Sequence, residues 1–167
     1  MAPYGARSLS GYDTAQVCLN GHVITQFAQS RPEHTKKFCD RCGAATILDC
    51  PKCSKRIQGY HHHPRVGSIV RKEPPAFCHE CGHGFPWTAQ RIAAANQLAN
   101  EEGNFSAEER EEFQASLNDI VKQVPGTPIA VGRIKKLIAK SGQVVSNGLR
   151  DILVDVLSEA VKKQIWG

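Results

Sequence analysis

All seven cysteines of this 167-residue chain fall between residues 18 and 81, and six of them stand in Cys-x-x-Cys pairs. The pairs are Cys39 with Cys42, Cys50 with Cys53, and Cys78 with Cys81; the remaining one, Cys18, is followed at short range by His22. Counting His22 gives eight candidate ligands, enough for two complete tetrahedral sets. Structural zinc takes four sulfur or imidazole ligands, usually from two short pairs carried on turns. Two pairs continue into glycine, at Cys42-Gly43 and Cys81-Gly82. Glycine there suits a left-handed turn that aims backbone amides at the sulfurs. The stretch Cys18-Leu19-Asn20-Gly21-His22 follows the same logic with one more residue of reach for the ring. Disulfides are the competing use of such cysteines, and both the spacing and the odd count speak against them.

The expectation is therefore two zinc ions per chain, with Cys18, His22, Cys39, Cys42, Cys50, Cys53, Cys78 and Cys81 as the metal ligands. Both sites are coordinatively closed, which leaves no position for a reactive water and no Lewis-acid chemistry. The metal would act as folding energy. A segment with so few large apolar residues builds little core alone, and metal binding supplies on the order of 10 kcal/mol per site. Two divisions of the ligands are open. Sequentially, Cys18, His22, Cys39 and Cys42 form one site and Cys50, Cys53, Cys78 and Cys81 the other. In a cross-brace the first pair joins the third and the second joins the fourth. The sequential form is favoured, because each half then contains its own hairpin and closes its own loop.

Charge and composition divide the chain. Residues 1–87 carry eleven Lys or Arg against six acids, residues 88–128 three against seven, and residues 129–167 seven against three. Cysteine stops at Cys81, and Pro and Gly thin out after Trp87. The domain expectation is a flexible N-terminus over 1–11, a double zinc-ribbon domain over 12–87 and a helical domain of about four helices over 88–167. The fold class is a small zinc-stabilised β-rich head, made of tandem zinc ribbons, followed by an all-α C-terminal region. No stretch approaches a membrane span, and Met1–Asp13 lacks the apolar run of a signal peptide, so a cytoplasmic protein is expected. A reducing compartment agrees with free, metal-binding thiols. The formal charge of +5 treats every cysteine as neutral. Three thiolates and an imidazole around one zinc carry −1 and four thiolates −2, so with both metals bound the +5 falls to +2. A nucleic-acid argument from net charge alone is correspondingly weak.

Beyond Trp87 the pattern is helical. Thr88 is read as the N-cap of a first helix through about Asn100, closed by Gly103-Asn104. Ser106-Ala107-Glu108-Glu109 forms a capping box for a second helix to about Val124. Thr127 is read as the cap of a third, with Pro128 at its first position. A final helix carries apolar residues at Val145, Leu149, Ile152, Leu153, Val156, Leu157, Val161 and Ile165, a 3.6-residue repeat interrupted only by Gly148. That glycine marks a kink or a close helix contact.

Two other features bear on function. Adjacent histidines in an extended segment point to opposite faces, so His61, His62 and His63 do not converge on one ion. They read as part of a solvated hairpin arm over His61–Glu73. Lys36, Lys37, Arg41, Lys52, Lys55, Arg56, Arg65, Arg71 and Lys72 are scattered over the ribbons among Phe38, Tyr60, Phe77 and Trp87. That mixture occurs in nucleic-acid-binding ribbons, and equally where lysines offset thiolate charge around a small aromatic core.

The wording of the chain also resembles a family of short bacterial proteins of unknown function. The resemblance rests on Tyr12-Asp13-Thr14-Ala15-Gln16-Val17-Cys18-Leu19-Asn20-Gly21-His22-Val23-Ile24, on the Cys-x-x-Cys-Gly and Cys-Pro-Lys-Cys pairs, and on Pro75-Ala76-Phe77-Cys78-His79-Glu80-Cys81-Gly82. Phe85-Pro86-Trp87-Thr88 and the ending Lys163-Gln164-Ile165-Trp166-Gly167 extend it over most of the chain. It implies a tandem zinc-ribbon head with a helical tail in the bacterial cytoplasm, and it carries no activity to transfer. The functional expectation is a non-enzymatic, zinc-stabilised interaction or adaptor protein, with a protein partner or self-association through the C-terminal helix. The alternative is nucleic-acid binding through the basic ribbon residues. A weaker alternative is an enzyme using His61–His63.

Overall fold

Each of the four ligand pairs sits at the tip of a tight hairpin, and these tips organise the first of two units. The computed structural model describes residues 11–62 and 73–167. The expected flexible N-terminus lies almost wholly outside the described residues, as does the arm between His63 and Lys72. The chain divides into Met1–Trp87 and Thr88–Gly167.

In the first unit the strands are short because the turns at the ligands follow so closely. They are β1 (Gly11–Thr14), β2 (Gln16–Cys18), β3 (Val23–Thr25), β4 (Thr46–Ile47) and β5 (Gln58–His62). Strand β2 is central, antiparallel to both β3 and β4. Strand β1 pairs antiparallel with β5, Tyr12 opposite His61 and Gly11 opposite His62. His61 and His62 are thus half-buried strand residues, not the start of a solvated arm as expected. Gly59 is required where it stands, since a Cβ there would lie 2.3 Å from the Gln26 carbonyl oxygen.

The hydrophobic core of this unit is small: Ala15, Val17, Ile57, Phe85 and Trp87, with the thiols of Cys50 and Cys78 as full members. Val23 and Ile47 pack against its edge. Trp87 is 1% exposed, stacks on Phe85 with centroids 4.7 Å apart, and donates its indole N–H to the Pro75 carbonyl at 2.9 Å. Gly21, with φ +89°, lies against Trp87 so closely that a Cβ would come within 2.9 Å of the Trp87 Cβ. The largest core side chain and the first ligand turn are therefore in direct contact.

Helices α1 (Pro86–Glu102), α2 (Ala107–Lys122), α3 (Thr127–Ser141), α4 (Gln143–Leu153) and α5 (Glu159–Trp166) follow. Three expectations need correction. Helix α1 starts two residues before Thr88, because Pro86 is pre-set for the first helical turn, where its missing N–H costs nothing. Thr127 does not cap α3. Its hydroxyl donates to the Val124 carbonyl at 2.6 Å, fastening the end of α2, and Gly126 takes the cap position. The final helix is two helices, which makes five in place of four. Arg91 donates to the Ile152 carbonyl at 2.8 Å and pairs with Asp155. That carbonyl would otherwise accept from Val156, whose N–H turns instead to Leu153. Ser158 then caps α5, accepting from the Val161 amide. The capping box is present as read, Ser106 and Glu109 each satisfying the other's backbone N–H.

The apolar repeat survives the break. Val145, Leu149, Leu153, Val156, Leu157, Val161 and Ile165 are all buried within the helical unit. Gly148 is the close contact rather than a kink, since a Cβ there would meet the Leu98 side chain of α1 at 2.8 Å. Val144 and Ile129 remain exposed. Because Leu153 is 1% exposed, Leu153→Asp should cost more than about 4 kcal/mol. Circular dichroism should show loss of most helical signal; a fully helical variant with only a changed mass by light scattering would contradict this packing.

Candidate metal centres

The four hairpin tips share one hydrogen-bond scheme. The amides of Cys39, Cys50 and Cys78 each donate to the carbonyl five residues on, at Ala44, Lys55 and His83. The amides of Gly43, Ser54 and Gly82 return to the carbonyls of Cys39, Cys50 and Cys78. Flanking bridges pair Phe38 with Ala45, Asp49 with Arg56 and Phe77 with Gly84. At the first tip the loop is one residue tighter, with Cys18 donating to the His22 carbonyl and Gly21 to the Cys18 carbonyl. The turn residue is left-handed in all four: Gly21, Gly43, Ser54 and Gly82, with φ of +89°, +72°, +58° and +67°. Ser54 departs from the glycine pattern and adopts the same backbone at some steric cost.

This geometry gives each tip an inner and an outer ligand. Cys18, Cys39, Cys50 and Cys78 are buried; Cys42, Cys53 and Cys81 are exposed and His22 is half-buried. The donor atoms collect into two sets, Cys18 with His22, Cys39 and Cys42, and Cys50 with Cys53, Cys78 and Cys81, each within 4.8 Å. The grouping is the sequential one, not the cross-brace. Within the first set, Cys18 Sγ lies 3.5 Å from His22 Nδ1 and 3.8 Å from Cys42 Sγ, and Cys39 Sγ lies 3.6 Å from the same nitrogen. Within the second, Cys50 to Cys81 is 3.8 Å and Cys53 to Cys78 is 3.7 Å. A disulfide requires about 2.05 Å. A tetrahedron with metal–sulfur bonds of about 2.3 Å has edges of about 3.8 Å, so the spacing matches four ligands around one zinc-sized ion.

Amide and side-chain donors surround the sulfurs. The His22 N–H lies 3.2 Å from Cys18 Sγ, and the Asn20 side-chain amide 3.4 Å from Cys42 Sγ. The Ala44 amide is the main reason the Cys42 thiol is lowered to about 6, helped by His22 and Asn20 against some burial. Cys78 is lowered to about 7, first by the Cys81 amide and also by that of Glu80. Burial raises Cys18 despite the His22 and Asn20 amides. At Cys53 the Lys55 amide favours the thiolate, yet burial and proton sharing with Cys81, Cys78 and Cys50 push it up to about 12. Each set thus holds one thiol drawn below its ordinary value and one pushed above it.

The other candidate residues separate. His79 and His83 are exposed and belong to neither set. His61 packs against Tyr12 with the rings tilted and their centroids 4.6 Å apart, while His62, the next strand residue, turns to the opposite side. There its Nε2 lies 3.1 Å from the buried carboxylate of Asp13; His63 is outside the described residues. Asp13 also accepts from the amides of Thr14 at 2.7 Å, Gln29 at 2.9 Å and Ser30 at 3.3 Å. Burial opposes its ionisation, but these bonds outweigh burial and hold the carboxyl below its ordinary 3.8. Sequence reading missed this junction, whose partners are too far apart along the chain to form a motif. Of the basic scatter, Lys36 pairs with Asp40, Lys55 with Glu80 and Arg56 with Asp49. Of the interleaved aromatics only Phe38, at 63%, is strongly exposed.

These features define a class: a β-rich ribbon unit with two cysteine-rich clusters suited to metal binding, followed by an all-helical region. The chain belongs to the family described as an uncharacterised protein conserved in bacteria (DUF2321), whose model matches residues 11–165. No curated protein and no solved structure matches it. Among the described residues no helix is long and apolar enough to cross a membrane.

The Asp13 carboxylate yields a pH prediction. A carboxyl lowered in the fold stabilises fully above its unfolded value near 4, and the contribution is lost as pH falls through the folded value. Asp13→Asn should therefore cost about 2 kcal/mol at pH 7, and the same at pH 5, in urea unfolding at fixed free zinc. A cost that falls away between pH 7 and pH 5 would contradict a carboxylate that stays ionised throughout that range.

Proposed function

We propose that this is a non-enzymatic interaction protein whose ribbon unit, residues 12–87, is held folded by two structural zinc ions. Cys18, His22, Cys39 and Cys42 bind one, and Cys50, Cys53, Cys78 and Cys81 the other. The observation that carries the reading is the closure of each set: four donor atoms at tetrahedral spacing, with an inner pair already committed to the interior. Such a site leaves no coordination position for a substrate. Sulfur-rich donors select a soft or borderline ion such as zinc over calcium or magnesium. Free thiols throughout agree with a reducing, cytoplasmic setting.

The ribbon unit then serves as a rigid head. Phe38 and Tyr12, 63% and 50% exposed, are the large side chains it offers to a partner protein. The helical unit, residues 88–167, supplies association. Because its apolar repeat is already buried internally, a partner or second copy would meet α4 at Val144, which is 87% exposed. Nucleic acid is the competing partner class, and the two differ in salt response, since phosphate contacts weaken steeply with added salt.

Native mass spectrometry of the purified chain should show two zinc ions. Cys78→Ser should release one of them and leave the first set loaded, because no ligand is shared between sets. Loss of both ions together, one ion in the wild type, or an iron–sulfur absorbance would contradict the assignment.

A further inference from the structure

The helical unit holds a cleft that the metal reading does not use. It lies between α3, α4 and α5 and has a volume of about 330 Å³. Lys135 of α3 and Arg150 of α4 both line it, and no acid does. The segment 129–167 has seven cations. Arg133, Lys140 and Lys162 are neutralised by Glu112, Glu109 and Glu159. Lys135, Lys136, Arg150 and Lys163 make no ion pair among the described residues, and of these Lys135 and Arg150 line one cleft. Two positive charges at one cleft with no acid in its lining favour an anion there.

The rest of the lining adds donors and an apolar surface. Gln143 donates to the Asn147 side-chain oxygen at 2.8 Å, which orients the Asn147 amide, whose N–H groups add donors to the lining. Ser146 adds a hydroxyl. Ile138, Ile165 and Trp166 form the apolar side. The Trp166 indole N–H is out of contact with solvent and meets no acceptor in the protein. Buried donors without a partner are uncommon and call for an acceptor.

We propose that this cleft binds a small organic phosphate monoester. A phosphate monoester carries close to two negative charges at neutral pH, matching Lys135 and Arg150. The guanidinium fork of Arg150 suits two phosphate oxygens, and the amide and hydroxyl donors suit the third. The organic group rests on Ile138, Ile165 and the Trp166 ring, in a space of ordinary ligand size. A monocarboxylate satisfies the apolar side equally but only half of the charge.

The test is a titration of the full-length, zinc-loaded, ¹⁵N-labelled protein with phenyl phosphate, followed at the two indole N–H resonances. Trp166 should shift saturably while Trp87, already bonded to Pro75 in the ribbon unit, stays in place. Lys135→Ala with Arg150→Ala should weaken binding at least about tenfold. Both side chains are exposed, so the fold should survive, as circular dichroism would show. Benzoate, with the same ring and one charge, should bind at least about tenfold more weakly than phenyl phosphate. An immobile Trp166 resonance at tens of millimolar phenyl phosphate overturns the proposal in the wild type alone. So does equal affinity in the double variant, or benzoate binding as tightly as the phosphate.

Discussion

The ribbon unit depends on the mutual approach of four hairpin tips whose sulfurs would repel one another as thiolates. Cys50 and Cys78 are buried among Ile57, Phe85 and Trp87, so the second set is a wall of the hydrophobic core. Closely spaced thiolates in such a place are strongly unfavourable unless protonated or neutralised by a cation. The divergent thiol behaviour expresses that conflict, with Cys78 drawn down to about 7 and Cys53 pushed up to about 12. In our reading zinc resolves it, and resolving it supplies the stability that so small an apolar core cannot. The same cation would tie both tips of each set together, so folding and metal loading become one equilibrium.

The remaining cohesion is polar and local. Asp13 collects amides from β1 and from the turn after Phe27, then reaches His62 on β5. One carboxylate thereby fixes the strand pair and the loop covering it. The helical unit relies on another such device, Arg91, which takes the Ile152 carbonyl and Asp155 together. Its pull on a single carbonyl converts one amphipathic repeat into α4 and α5 while the buried face continues across the turn. Packing in this unit otherwise follows the helix repeat.

The ligand tips were legible because each is local: a pair spaced by two residues, a turn residue next to it, and strands on either side. Ser54 shows the limit of that reading, since it occupies the left-handed position without announcing it. The capping box at Ser106 and the buried face of the last two helices were legible for the same reason, as short-range patterns. The junctions were not. Asp13 meets His62, and Arg91 meets Ile152, only after the chain has folded. The early start of α1 and the role of Thr127 turned on which backbone group each residue serves, a choice made by neighbours rather than by propensity. The cleft at Lys135, Arg150 and Trp166 likewise joins three helices that no motif links.

X-ray absorption at the zinc edge of the purified, full-length protein tests the central claim most directly. The account predicts seven sulfurs and one nitrogen shared over two ions, from the eight side chains of the two sets. Zinc–sulfur distances should be about 2.3 Å, with a minor zinc–nitrogen shell at about 2.0 Å. A first shell dominated by oxygen or nitrogen, or a coordination number left open to water, would contradict closed structural sites.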